Sequence, residues 1–163
     1  MISSKTKLPP EASLRAAIDL GDSLRAIGVG AVVIVAGSLA MTTCIGVVAT
    51  IGMLVRGDSG PIIVTTLCSS FEVALWCAAG GWLMSLVGGY TSAARADRAY
   101  MAHAIWAGAL AIPLNLAVVA LLGDSGPAWL IALSIVMIVP CAALGGWMAS
   151  PVKEVQSAKE LRP

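Results

Sequence analysis

Gly57-Asp58-Ser59-Gly60-Pro61 recurs letter for letter as Gly123-Asp124-Ser125-Gly126-Pro127, and each copy lies between two long apolar segments. Further along, Cys77-Ala78-Ala79-Gly80-Gly81-Trp82 is echoed by Cys141-Ala142-Ala143-Leu144-Gly145-Gly146-Trp147, in the same order and at nearly the same separation from the turn. The pattern reads as a helical hairpin used twice. The first apolar segments of the two units share almost no identities, so the duplication rests on the turns and the second segments.

Composition places these hairpins in a membrane. The chain has 163 residues, 58% hydrophobic and 12% charged, whereas a soluble domain carries about 25% charged residues. Four apolar stretches run from Ile27 to Val55, Ile62 to Val87, Tyr100 to Leu122 and Ala128 to Ala149. Each reaches the roughly 20 residues that a helix needs to cross hydrocarbon. A helix also satisfies its own backbone where no water is present, and strands would be shorter and would alternate. The expected fold is an all-α membrane protein of four transmembrane helices, built as two duplicated hairpins.

This reading divides the chain into an N-terminal segment (1–26), a first hairpin (27–89), a middle loop (90–99), a second hairpin (100–149) and a tail (150–163). Between Pro9 and Ile27, Leu14, Ala17, Ile18 and Leu24 share a face while Arg15, Asp19, Asp22 and Arg25 lie elsewhere. That predicts a short amphipathic helix on the membrane surface. Ser38-Leu39-Ala40 imitates a signal cleavage site. The apolar run continues well past a signal's short core, so it reads as a retained span.

Basic residues predict the orientation. Lys5, Lys7, Arg15 and Arg25 precede the first span, Arg95 and Arg98 lie between the second and third, and Lys153, Lys159 and Arg162 follow the fourth. The two repeated turns have only Arg56, beside Asp58. Both termini and the middle loop are therefore expected in the cytoplasm, and the repeated turns outside. Two helices per unit give both units one orientation, related by a pseudo-twofold along the membrane normal.

Little in the sequence points to chemistry. Gly-Asp-Ser-Gly-Pro resembles the nucleophile loop of trypsin-like proteases, and Leu20-Gly21-Asp22-Ser23-Leu24 that of a lipase family. A triad needs a base within hydrogen-bond reach of its serine. The single histidine, His103, is expected across the membrane from Ser59 and Ser125 and reads as an interfacial residue. Capping by Asp or Ser, a turn at Gly and a helix opened by Pro explain the motif. Cys44, Cys68, Cys77 and Cys141 lie in apolar segments without a C-x-x-C pair. They read as small hydrophobes. No cofactor or metal is expected, and a net charge of +1 gives no reason to expect nucleic acid.

Glu72 is the sharpest polar signal. Counted from Ile62, it falls about 16 Å along a helix, near mid-membrane, where an ionisable group costs about 2.5–3.5 kcal/mol to insert. It is expected to face the bundle or a subunit interface. Asn115, at comparable depth and beside the kink-prone Pro113, is its expected partner, with Ser69 and Thr65 on nearly the same helix face. Met137 or Ile138 replaces it in the second unit, so the site is not duplicated.

Small residues recur every fourth position: Cys77, Gly81, Ser85 and Gly89 on the second span, Ala142, Gly146 and Ser150 on the fourth, Ala36, Ala40 and Cys44 on the first. Such stripes let helices approach closely, and Gly81 and Gly146 predict a crossing of the second and fourth spans. Trp82, Trp147, Trp129, Tyr90 and Tyr100 suit the aromatic belts at membrane interfaces, while Trp76 and Trp106 lie deeper.

Gly88-Gly89-Tyr90, Ala94-Arg95, Arg98, His103-Ala104 and Gly108 together resemble small bacterial inner-membrane proteins of four helices with no assigned activity. The resemblance covers the latter half of the chain. It implies a bacterial inner membrane and nothing about activity. Two functions fit these residues. The first is a non-catalytic membrane subunit or scaffold in contact with lipid, packed in a homo-oligomer or against other membrane subunits. The alternative is a small proton- or cation-coupled transporter or channel using Glu72.

Overall fold

A computed structural model describes residues 10–96, 99–122 and 127–160, with side chains from 20 to 150 except 68, 97, 98 and 122–126. Five helices follow one another: α1 (Pro10–Val55), α2 (Gly60–Ser69), α3 (Phe71–Arg95), α4 (Tyr100–Leu122) and α5 (Ala128–Glu160). Four stretches are long and apolar enough to cross a membrane: Leu20–Val55, Phe71–Arg95, Tyr100–Leu121 and Ala128–Ser150. Their outward faces hold Val48, Trp76, Trp106, Leu121 and Val136, all strongly exposed. Helices apolar on every side suit a hydrocarbon solvent.

The elements depart from the sequence reading in three places. Among the described residues no separate surface helix precedes the first span, because α1 runs unbroken for 46 residues, about 69 Å at the helical rise. The expected second span is split. The Ser70 backbone is extended, its N–H closes α2 on the Thr66 carbonyl at 2.8 Å, and its hydroxyl accepts from the Val73 N–H at 3.4 Å to open α3. Thr65, Thr66, Ser69 and Ser70 are residues whose side chains compete for backbone groups, so a break here has a local cause. Finally, α3 extends to Arg95, which shortens the middle loop, and α5 continues past Ala149 to Glu160.

In the first repeated turn Gly57 takes φ +87°, a conformation that glycine adopts without steric penalty. The Asp58 N–H returns to the Met53 carbonyl at 3.2 Å. Ser59 stands at the N-cap of α2 without a side-chain bond, and Pro61 lies in the first turn. Residues 123–126 of the second copy lie outside the described residues. Pro127 directly precedes α5, and its carbonyl accepts from Leu130 at 2.8 Å.

The four long helices form a ring in which α1 packs on α3, α3 on α5, α5 on α4 and α4 on α1, with α3 also touching α4. An exact twofold would pair α1 with α5 as it pairs α3 with α4. Among the described residues, α1 and α5 are not an extensively packed pair.

Glycine sets the spacing. A Cβ at Gly89 would run into the Ala142 carbonyl oxygen and lie 2.6 Å from its Cα, and one at Gly145 would strike the Leu86 carbonyl. A Cβ at Gly30 or at Gly88 would likewise crowd the other's carbonyl oxygen, at 2.9 and 2.7 Å. The crossing of α3 and α5 therefore centres on Gly89 and Gly145. Gly81, expected there, has only the Ser38 hydroxyl at 3.8 Å, and Gly146 abuts Ala104 of α4. All these contacts except Gly81 lie toward the 96–99 loop.

Candidate functional site: a polar-lined cavity

A cavity of about 430 Å³ occupies the other end of the bundle, where α3 and α5 begin. Val35, Ser38, Thr42 and Gly46 of α1 form one wall, and Val73, Cys77, Gly81, Trp82 and Ser85 of α3 the next. Asn115 and Val119 of α4 and Leu130, Ser134 and Ile138 of α5 complete it, with Leu67 contributed by α2. Ile138 also belongs to the buried cluster of Ala31, Ile34, Ala111 and Ala142, which closes the deep end.

The local sequence explains the shape. Ser38, Thr42 and Gly46 are spaced four apart, so they share one face of α1. The facing positions on α3 and α5, Gly81 and Ser134, are also small. Small residues opposite one another either close the helices together or leave space. Here the contacts at Gly89, Gly145 and Gly30 fix the helices further down, and the upper residues do not fill the gap.

The polar groups of the wall divide by what they have already bonded. Ser38 donates to the Ile34 carbonyl at 2.6 Å and Ser85 to the Gly81 carbonyl at 2.9 Å, leaving oxygen lone pairs as acceptors. Asn115 Nδ2 donates to the Ala111 carbonyl at 3.1 Å, which leaves its amide oxygen and one N–H. The indole Nε1 of Trp82 is buried with no hydrogen-bond partner. Among the described residues none of the lining side chains is charged.

The structure does not bring together the four polar residues singled out in the sequence. Asn115 lines the cavity, but Glu72 is exposed as the second residue of α3 and does not line it. Phe71 stacks on Trp129, the second residue of α5, with ring centroids 5.9 Å apart. Glu72 thus stands at the end of the bundle and not at its middle. The break at Ser70 is the reason, since residues 60–69 do not contribute to the span. Thr65 and Ser69 are exposed on α2 and donate to their own helix, to Pro61 at 2.9 Å and Thr65 at 2.8 Å. The N-cap of α3 is Ser70, with Val73 at the third helical position, so Ser69-x-x-Glu72 resembles a capping box one residue out of register and does not form one.

Trp82 is a second relocation. Expected in an interfacial belt, it is half-buried against the cavity because its neighbours Ala78 and Ser85 turn that face of α3 inward. Trp147, its repeat equivalent, is 61% exposed. His103 is half-buried at the start of α4, its Nδ1 3.1 Å from the Ala99 carbonyl, and Ser59 is exposed at the opposite end of the bundle. Among the described residues no three His, Cys, Asp or Glu side chains gather as metal ligands would. Ser38, Thr42, Trp82 and Ser134 were missed as site residues. The four-residue spacing of Ser38, Thr42 and Gly46 was the signal for the first two.

Compared with known protein families, curated proteins and solved structures, the chain matches none.

Proposed function

We propose that the chain is a non-catalytic integral membrane subunit that assembles with copies of itself, or with another membrane helix, through α1. One observation carries this reading. The exposed surface of α1 carries a patch of small residues, Ala36, Ala40, Thr43 and Cys44, flanked by the exposed Val32, Leu39, Val47 and Val48, while the outward faces of α3, α4 and α5 present Trp76, Trp106, Leu110, Val136 and Trp147. Bulky side chains suit lipid, and small ones let a second backbone approach. The other small-residue stripes are largely spent inside the chain, at Gly89, Gly145 and Gly146.

In this proposal the membrane is a bacterial inner membrane, with both termini cytoplasmic. Arg25 and Arg95 would share the cytoplasmic end and Arg56 the outer one. The first turns of α1 would lie at the surface, and the units would descend from one duplicated hairpin whose first copy acquired a break at Ser70. The transport reading needs Glu72 in a path, and its position outside the cavity gives that reading less support.

Cys44 supplies the test. A cyclic dimer places a residue near the axis opposite its own copy, and a disulfide forms when the Cα atoms come within about 4.4–6.8 Å. With Cys68, Cys77 and Cys141 changed to Ala, mild oxidation of membranes is expected to give a Cys44-linked dimer, and Ala40→Trp to abolish it. A chain that stays monomeric in mild detergent, with no cross-link or co-purifying protein, would overturn the proposal.

A further inference from the structure

We propose that this largely apolar cavity, with its few polar groups, binds one neutral, largely apolar molecule carrying a hydroxyl or carbonyl group, drawn either from the membrane lipid or from lipophilic solutes. Three observations support a built site. First, the cavity of about 430 Å³ falls within the range of roughly 300–1,000 Å³ typical of ligand pockets. Bundle interiors are otherwise close-packed, with few voids larger than a water molecule. The loop end of this same bundle is packed to backbone contact, so the space above it is not a general looseness of the chain.

Second, the described wall offers no partner to an ionic occupant. Among the described residues no Asp, Glu, Lys, Arg or His lines it, and a charge taken from water into such surroundings needs a partner. Third, the wall is not a purely apolar void either. The Asn115 amide has one intrahelical bond and capacity to spare. Thr42 and Ser134 add hydroxyls to the same wall. An apolar pocket with a few polar groups that orient the ligand is the usual form of a small-molecule site.

Trp82 reports on its own surroundings. In the full chain purified in a mild saccharide detergent, with Trp76, Trp106, Trp129 and Trp147 changed to Phe, 12-bromododecan-1-ol is expected to quench Trp82 saturably. Excess 1-dodecanol should reverse the quenching. 1-Bromododecane, which lacks the hydroxyl, should bind at least about tenfold more weakly, and Asn115→Leu should erase that difference. Ser134→Phe fills the cavity and should abolish saturable quenching while helicity and elution volume stay unchanged. Native mass spectrometry of the unaltered chain with 1-dodecanol should show one adduct, which answers the question even if the tryptophan variant does not fold. A neutral lipid recovered near one per chain by organic extraction, and displaced by 1-dodecanol, would identify the membrane as the source. Its absence alongside probe binding would identify a solute. Quenching that is linear and equal for both bromo compounds, or saturable quenching that Ser134→Phe leaves intact, would overturn the proposal, as would an adduct-free mass spectrum.

Discussion

The two ends of this bundle use the same kinds of residue to opposite effect. At the loop end, Gly30, Gly88, Gly89 and Gly145 let backbones touch, and Ala93, Ala104 and Ala149 form a buried cluster between α3, α4 and α5. At the turn end, Ser38, Thr42, Gly46, Gly81 and Ser134 leave a cavity. Small side chains do not decide between closure and space. What decides is whether the helix backbones come into contact at that level. Gly89 meets Ala142 directly, whereas a Cβ at Gly46 would have no neighbour within 4 Å.

Substitutions at those glycines give the largest contrast. Gly89→Ala puts a Cβ into the Ala142 backbone, which cannot swing away as a side chain would. Overpacking of this kind costs typically about 1–3 kcal/mol, occasionally more. Gly46→Ala places the same methyl group in open space and is expected to gain about 0.5–1 kcal/mol from helix propensity. Reversible unfolding of the two variants in mixed micelles would measure both. Equal effects would show that the two ends are packed alike.

A smaller difference is expected between two serines. The Ser92 hydroxyl is fully buried and crosses from α3 to the His103 carbonyl of α4 at 3.1 Å, tying the helices beside the loop. Ser38, in the cavity wall, bonds only to its own helix. Interhelical hydrogen bonds in membranes contribute on average about 0.6 kcal/mol, with a maximum near 1.7. Ser92→Ala should lose that amount in the same unfolding measurement, and Ser38→Ala should lose less. A larger loss at Ser38 would mean that its oxygen accepts a bond from an occupant of the cavity.

The spans and the first turn were legible in the sequence because each depends on local properties. Length and apolarity define a span, and Gly57 alone explains the positive φ of its turn. The break at Ser70 had only a weak local signal, the run of hydroxyl residues Thr65, Thr66, Ser69 and Ser70, and was hidden by the apolar run around it. The cavity was not legible, since it depends on which turns of four separate helices come level. The same holds for Gly81, which carries a small-residue motif yet touches little, and for Trp82, whose belt position by sequence became a cavity wall once its face turned inward.

The smallest effect is expected at Glu72, on the rim of the turn end. As the second residue of α3 it lies where unpaired N–H groups and the helix dipole favour a negative charge. That interaction contributes about 0.3–1 kcal/mol at low ionic strength and is screened by salt. Glu72→Gln should therefore lose a little stability at low salt and almost none at high salt. Glu72→Leu should behave the same way, because among the described residues no hydrogen bond to Glu72 is there to be broken. A carboxyl clamped between helices would respond differently: Leu would leave its partner unpaired and damage folding far more than Gln. If Leu proves much the worse of the two in the assembled protein but not in the isolated chain, Glu72 meets its partner across a subunit boundary. The turn end would then be open only until a second subunit covers it.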